Sequence, residues 1–179
     1  MEKRPLLIVM VGIPGSGKST IAEELKNTYN FQIFSSDRIR AEVLGDENNQ
    51  TRNYYVFKLL YERLKNTLKE GKNCIIDSAN VTIKDRSNIF KKLSGVDFDA
   101  VAYVVPTDVE ECIQRDLKRE RKVLREVIEK FARKFTLPSE EEGFSDVIIG
   151  SSQSEINRLA KIIDDKDFQI SITDEAFER

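Results

Sequence analysis

The sequence predicts an α/β fold in which a parallel sheet carries helices on both faces. Short apolar runs alternate with helical patterns along the 179 residues, and this alternation is typical of parallel sheets. The first run, Leu6–Val11, is apolar at every position, as expected of a strand that is buried on both faces. A glycine-rich loop follows it directly, and a helical pattern follows the loop.

The length and composition indicate one globular domain over residues 1–179. Hydrophobic residues make up 40% of the chain and charged residues 34%, which is ordinary for a globular protein. No apolar run approaches the roughly 20 residues that span a bilayer, so we expect no membrane segment. The N-terminal apolar run is short and lacks a small-residue cleavage site, which favours a buried strand over a signal peptide.

The two cysteines, the absence of histidine and the net charge limit the chemistry that is expected of this chain. Cys74 and Cys112 lie in apolar patterns and are expected to be buried rather than bridged, so the cytoplasm is the predicted compartment. The chain has no histidine, which leaves a carboxylate as the leading candidate for a general base. The net charge is −2, so any contact with nucleic acid is expected to be a local grip on an end rather than an extended basic track.

The remaining elements follow from hydrophobic period and from turn signals. We predict strands over residues 6–11, 31–34, 74–76, 98–105 and 146–150. We predict helices over residues 19–28, 37–44, 51–70, 82–93, 107–119, 123–135 and 154–163, and the acidic tail from Asp164 is left unassigned. Thr82 with Asp85, and Thr107 with Glu110, have the spacing of capping boxes. Because the carboxyl ends of parallel strands meet at one edge, the loops after the first three strands should converge there.

The loop after the first strand carries the most specific motif. Its sequence, GIPGSGKS, matches the phosphate-binding pattern G-x-x-x-x-G-K-[ST] over residues 12–19. We therefore expect a P-loop NTPase that binds ATP and Mg²⁺, with Lys18 on the β- and γ-phosphates and Ser19 on the metal. The small size of the whole chain favours a nucleoside-monophosphate-kinase-like enzyme over a motor. The predicted nucleotide-binding residues are Gly12, Pro14, Gly15, Ser16, Gly17, Lys18, Ser19 and Thr20.

Two aspartates follow the next two strands. Asp37 stands where the second strand gives way to a helix, where it is either a general base for an accepting hydroxyl or the N-cap of that helix. Asp77 ends the third strand, where it either supports Mg²⁺ or is a polar strand end. The two interpretations of Asp37 are compatible with each other.

A basic stretch follows the fourth strand. Its arginines and lysines are spaced so that they share helix faces, which is expected of a helical lid that neutralises a moving phosphoryl group. The interleaved acids leave a solvated, charged pair of helices as the alternative. The residues are Arg115, Lys118, Arg119, Arg121, Lys122 and Arg125.

These motifs together resemble the kinase domain of the phage-type polynucleotide 5′-kinase family, over about residues 5–150. The similar segments are GIPGSGKST at 12–20, Ser36-Asp37 with Arg40, DSAN at 77–80 and RDLKR at 115–119. The resemblance implies that Asp37 is the general base and that Arg40 holds the phosphate beside the accepting hydroxyl. It also implies that Arg115 and Arg119 contact the ATP phosphates or the transition state.

The resemblance has limits that keep other acceptors open. The phage family often carries a second acidic residue after the base, where this chain has Arg38, and no D-x-D-G-T phosphatase signature occurs. The same plan is shared by small-molecule kinases and by zeta-toxin-like sugar-nucleotide kinases. The expected function is transfer of the γ-phosphate of ATP to a hydroxyl group. The expected acceptor is the 5′-OH end of DNA or RNA. The alternative of another class is a nucleotide-dependent switch or partner-binding NTPase with no phosphoacceptor, and Asp37 argues against it.

Overall fold

The computed structural model describes the backbone of residues 4–120 and 123–177, and side chains as far as residue 166. Five strands form one sheet: β1 (Leu6–Val11), β2 (Gln32–Ser35), β3 (Cys74–Asp77), β4 (Asp99–Val104) and β5 (Asp146–Ile149). The strand order is β2-β3-β1-β4-β5, and every pair of neighbours is parallel. The predicted parallel sheet is confirmed, with strand ends that differ from the prediction by at most one residue.

The described helices cover both faces of this sheet. They are α1 (Lys18–Tyr29), α2 (Ser36–Leu44), α3 (Asn53–Lys69), α4 (Ile83–Lys92), α5 (Val109–Leu117), α6 (Arg125–Lys134) and α7 (Gln153–Phe177), with a 3₁₀ turn at Glu140–Glu142. The final helix is longer than predicted, because it continues through the acidic tail that the sequence left unassigned.

Strand β1 divides its side chains between two cores because successive residues point to opposite faces. Leu7, Val9 and Val11 belong to the core that α3 and α4 cover. Leu6, Ile8 and Met10 belong to the core that α1 and α7 cover. All six side chains are fully buried, which explains why this run is apolar at every position. The two cores fix the strand rigidly beneath the loop that follows it.

Helix α3 shows the predicted apolar stripe. Val56, Leu60, Leu64 and Leu68 recur every four residues and are all buried. They pack in the core on the α3 side of the sheet. The adjacent face of α3, which carries Asn53, Phe57 and Tyr61, lines a cleft.

The structure corrects two of the predicted caps. The N-cap of α2 is Ser35, whose hydroxyl accepts a hydrogen bond from the Arg38 amide, so Asp37 is a first-turn residue and not the cap. The N-cap of α5 is Asp108, whose carboxylate accepts from two amides, and not Thr107. The Thr107 hydroxyl instead donates to the carbonyl of Ser16, 2.8 Å away. Thr82 caps α4 as predicted.

The basic stretch runs from the end of α5 to the start of α6, the two helices that the sequence predicts there. Helix α5 ends at Leu117, so Arg119 lies in the turn that follows the helix. The buried carboxylate of Asp116 accepts hydrogen bonds from the amides of Val123 and Leu124, at 2.8 and 3.1 Å, and thereby ties α6 back to α5. Arg121 and Lys122 lie outside the described residues.

Cys74 and Cys112 are buried free thiols, as the sequence predicts. Within the described part of the chain, no helix is both long and apolar enough to cross a bilayer.

Candidate active site

A cleft of about 900 Å³ opens at the carboxyl ends of β1, β2 and β3. The loops after these three strands supply its floor, and residues of α3, α4 and α6 supply its walls. The predicted convergence of the three loops is therefore present in the structure. Of the residues that the sequence selected, those that line the cleft are Pro14, Gly15, Gly17, Lys18, Ser19, Asp37, Arg40, Asp77 and Arg119.

The phosphate loop is shaped by positions that only glycine suits. Gly15 and Gly17 adopt left-handed backbone angles, with φ of 83° and 98°, which disfavour any residue with a Cβ. A Cβ at Gly15 would lie 2.8 Å from the carbonyl oxygen of Cys112. The buried hydroxyl of Ser16 has no hydrogen-bond partner. An orphaned donor in a loop of small residues fits a triphosphate, whose oxygens accept hydrogen bonds.

Lys18 opens helix α1 and lies over this loop. Its ammonium group donates to the carbonyl of Ile13 at 3.1 Å. Burial lowers the pKa of Lys18, and the nearby carboxylates of Asp77 and Asp37 partly oppose that effect. A desolvated cation held within its own loop is well placed to meet a phosphate, because its attraction to an anion is less screened than in water.

Ser19 and Asp77 form the candidate metal site. The Ser19 hydroxyl donates to Oδ2 of Asp77 at 2.8 Å. Burial raises the pKa of Asp77, while the Ser19 hydrogen bond and Lys18 act in the opposite direction. A hydroxyl and a carboxylate are the hard oxygen ligands that Mg²⁺ prefers, so these residues fit a magnesium ion bound together with nucleotide phosphates. Such an ion would neutralise charge on the transferring phosphoryl group.

Asp37 and Arg40 form an ion pair within helix α2. Nη1 of Arg40 donates to Oδ1 of Asp37 at 2.8 Å, and Nη2 donates to the Asn53 side chain at 2.9 Å. Only 4% of the Arg40 side chain is exposed, compared with 45% of the Asp37 side chain. The buried Nε of Arg40 has no partner. The arginine is therefore fixed in the wall, while the carboxylate remains accessible from the cleft.

The arginines of the basic stretch have different surroundings. Arg119 lines the cleft. Arg115 does not line it, but its guanidinium donates to the carbonyls of Gly15 and Ser16, both at 3.2 Å, and pairs with Glu111. Arg125 pairs with Glu110 on the surface. The three residues thus separate into one cleft residue, one residue that braces the phosphate loop and one surface residue.

Two contacts around the site escaped the sequence analysis. Asn53, which holds Arg40, is itself held by Gln50 at 2.8 Å. Fully buried Arg86 pairs with Glu142 and donates to the carbonyl of Asn80 at 2.9 Å. Asn80 in turn donates to the carbonyl of Met10, next to the phosphate loop. The Arg40–Asn53 and Arg86–Glu142 pairs have no signal in the sequence, because their partners are 13 and 56 positions apart and follow no periodic pattern.

The parallel sheet, the phosphate loop and the cleft define a P-loop kinase fold. Residues 7–138 match the profile of a family described as AAA domain. This match spans more than half of the chain, and the chain belongs to that family.

Two individual proteins are similar to this chain over part of their length. The chain is 27% identical over 168 residues to the Arabidopsis thaliana protein named Transcription factor bHLH140, covering 90% of the chain and 17% of that protein. It is 31% identical over 122 residues to an adenylyl-sulfate kinase of Clostridium kluyveri, covering 63% of the chain and 58% of that enzyme. The chain thus spans less than two thirds of the length of these relatives.

One solved structure is similar in both fold and sequence. A chain in the structure of the Pnkp1/Rnl/Hen1 RNA repair complex superposes with a TM-score of 0.68 and 25% identity. The match covers 75% of this chain and 45% of that one.

Proposed function

We propose that this protein transfers the γ-phosphate of ATP to a hydroxyl group, and that the acceptor is the 5′-OH end of DNA or RNA. The observation that carries the proposal is the position of Asp37, which lines the same cleft as Lys18 and is fixed there by Arg40. A kinase needs a carboxylate beside the acceptor and a cationic loop beside the donor. The cleft holds both.

The residues divide the reaction between them. The loop amides and Lys18 bind the donor phosphates, and Asp37 orients the accepting hydroxyl. Asp37 takes the hydroxyl proton as the new oxygen–phosphorus bond forms and the bond from the γ-phosphorus to the bridging oxygen breaks, so that ADP leaves. Arg40 binds the phosphate next to that hydroxyl, with a guanidinium that already lies in the cleft wall. Arg119 neutralises charge that develops on the transferred group. Ser19 and Asp77 would hold Mg²⁺, which would neutralise charge on the phosphates.

The comparisons support an acceptor that contains a nucleotide. The similar chain belongs to a complex named for RNA repair, and the similar Clostridium enzyme is named for a kinase of adenylyl sulfate, which is itself a nucleotide. The resemblance to phage-type polynucleotide 5′-kinases rests on the residues of the loop, the base and the RDLKR segment. We also propose that residues 1–179 act as one kinase domain.

A small nucleotide or sugar nucleotide is the second candidate acceptor, because the charges of the cleft nearly cancel. The described cations that line it are Lys18, Arg40 and Arg119, and the described carboxylates are Asp37, Asp77 and Asp85. A long polyanion requires a basic track beyond these. A short acceptor, whether a strand end or a free nucleotide, needs only the phosphate contact at Arg40.

Incubation with γ-labelled ATP and a panel of acceptors tests the function. The panel contains 5′-OH oligonucleotides of DNA and RNA, nucleosides and sugar nucleotides, with the Lys18→Ala variant as the inactive control. Label on the 5′ end of an oligonucleotide supports the proposal. Label on only a small acceptor would replace it with the second candidate. ATP hydrolysis without any labelled acceptor would indicate a switch and would contradict both.

A further inference from the structure

The cleft that Asp37 lines also has an apolar part, which we call the slot. Phe57 and Tyr61 of α3 line it together with Val127 and Phe131 of α6. The Phe57 and Tyr61 rings have centroids 6.4 Å apart and are tilted by 35°. Phosphate groups gain nothing from such walls, because they lose hydration there without a partner. The slot therefore suits a flat and largely apolar part of a ligand.

One end of this slot is polar. Asp85 and Asn88 of α4 also line the cleft, and their spacing of three places them on one side of the helix. Asn88 hydrogen-bonds the Tyr61 hydroxyl, and Asp85 acts on the same hydroxyl, whose pKa is raised to about 12 mainly by burial. A carboxylate accepts hydrogen bonds and cannot donate them. A ligand that reaches this end must therefore present donors to Asp85.

The slot is continuous with the candidate acceptor site. Asn53, Phe57 and Tyr61 recur every four residues along α3 and all line the cleft. Asn53 holds Arg40, which holds Asp37. The same face of α3 thus leads from the candidate base into the slot over about 12 Å of helix. Because the terminal phosphate of the donor must meet Asp37, a group that lies beyond Asp37 belongs to the acceptor.

We propose that this slot binds the nucleobase of the nucleoside that carries the accepting hydroxyl, and that Asp85 selects bases whose edge presents hydrogen-bond donors. The inference rests on the proposed kinase function, and it adds a base preference that the function alone does not require. Guanine presents two adjacent N–H donors, at N1 and N2, to one carboxylate. Uracil and thymine present one N–H between two carbonyl oxygens, which a carboxylate repels.

Wild-type rates with matched acceptors test the base preference. Oligonucleotides that differ only at the 5′ position carry guanine, uracil or no base. Because a bidentate contact discriminates by about 1–3 kcal/mol, we expect kcat/KM to be about 5–140-fold higher for guanine than for uracil. The kcat/KM for the abasic acceptor should also be lower than that for the guanine acceptor. Equal rates for the three acceptors would overturn the inference and leave the kinase function intact.

Direct binding separates the slot from catalysis. Guanosine should bind more tightly than uridine in calorimetric titrations, and saturation with a non-hydrolysable ATP analogue should leave guanosine binding in place. Competition between the analogue and guanosine would assign the slot to the adenine of ATP and overturn the inference. Guanosine binding without phosphorylation of any acceptor would support the slot and contradict the proposed function.

Variants identify the groups responsible. Asp85→Asn should reduce the guanine-to-uracil ratio to near one, because an amide offers both a donor and an acceptor. Glu62→Gln, an exposed carboxylate on α3 that does not line the cleft, is the matched control and should keep the wild-type ratio. Phe131→Leu should weaken guanosine binding several-fold. An unchanged ratio in Asp85→Asn would show that Asp85 does not read the base.

Discussion

The carboxylate of Asp37 accepts a hydrogen bond from the guanidinium of Arg40, 2.8 Å away and one turn further along the same helix. Burial makes the arginine the fixed partner, since only 4% of its side chain is exposed. Asn53 restrains it from the other side. The candidate base is therefore oriented before any acceptor binds, and an acceptor phosphate must share the guanidinium that orients it.

The Asp37→Asn variant separates basicity from shape. The amide oxygen can still accept the hydrogen bond from Arg40, and Ser35 rather than Asp37 caps the helix, so we expect the variant to fold and to bind ATP. Loss of the general base should lower kcat by about 10²–10⁴. Single-turnover phosphorylation measures this, with Glu62→Gln as the control. A near wild-type kcat would exclude Asp37 as the base and turn attention to Asp77.

The Arg40→Gln variant removes the guanidinium and retains a donor. Hydrogen bonds to charged groups contribute about 1.5–3 kcal/mol, so the KM for a phosphate-bearing acceptor should rise by about 10–100-fold. The KM for ATP should stay within about twofold, because Lys18 and the loop bind the donor. Steady-state kinetics in both substrates measure the two effects. An equal rise in both constants would contradict an acceptor role for Arg40.

The Asp77→Asn variant should unfold at a higher temperature than the wild type at neutral pH in the absence of nucleotide and metal. Burial raises the pKa of Asp77 above its ordinary value, so the folded state binds this proton more tightly than the unfolded state does. Stability from this group is present below the ordinary carboxyl pKa and is lost as pH rises through the raised pKa. The advantage of the variant should therefore shrink below about pH 4.

Thermal unfolding across a pH series checks the Asp77 prediction. A wild type that is the more stable form at neutral pH would contradict it. The same variant should lose part of the stabilisation that Mg²⁺ with ATP confers on the wild type, because one oxygen ligand becomes an uncharged amide.

The arginines of the basic stretch should respond differently to replacement by lysine. Arg119→Lys should lower kcat by at least about 10-fold, because a point charge does not reproduce the guanidinium fork. Arg115→Lys should mainly raise the KM for ATP, since Arg115 braces the carbonyls of Gly15 and Ser16. Arg125→Lys, at a surface ion pair, is the matched control. Unchanged kinetics in both Arg119→Lys and Arg115→Lys would indicate a solvated helix pair.

Oligonucleotide binding should depend only weakly on salt. The described cations near the acceptor side of the cleft, Arg40 and Arg119, suffice for only a few phosphates. The slope of log K against log salt should lie between about −1 and −3. Binding titrations over a salt series measure it. A slope near −10 would reveal a long basic groove that neither the sequence nor the described structure contains.

The local signals predicted the fold and most of the candidate site. An unbroken apolar run fixes β1 as a strand buried on both faces, and the glycine pattern after it fixes the phosphate loop, because few other residues adopt φ near 83° and 98°. The parallel sheet then brings Asp37 and Asp77 to the same edge. These inferences depend on neighbouring residues and on the general geometry of parallel sheets.

The caps show where local signals were insufficient. Thr107 and Asp108 are adjacent, and both residue types are good N-caps. Which of them caps α5 depends on the other contacts of the threonine. Its hydroxyl bonds the carbonyl of Ser16 in the phosphate loop, which leaves the cap to Asp108. The last helix also continues beyond its predicted end, because no stop signal in the sequence marks where it ends.

The sequence by itself determined the class of this protein, because a phosphate loop is specified by eight consecutive residues and by the strand and helix on either side of it. Only the tertiary structure shows the contacts on which the proposed acceptor side depends. The contacts of Arg40 with Asn53 and of Arg86 with Glu142 join residues from separate elements, and so do the walls of the slot between α3 and α6. Such contacts depend on how the elements pack, and the periodicity within one element does not indicate which other element it packs against.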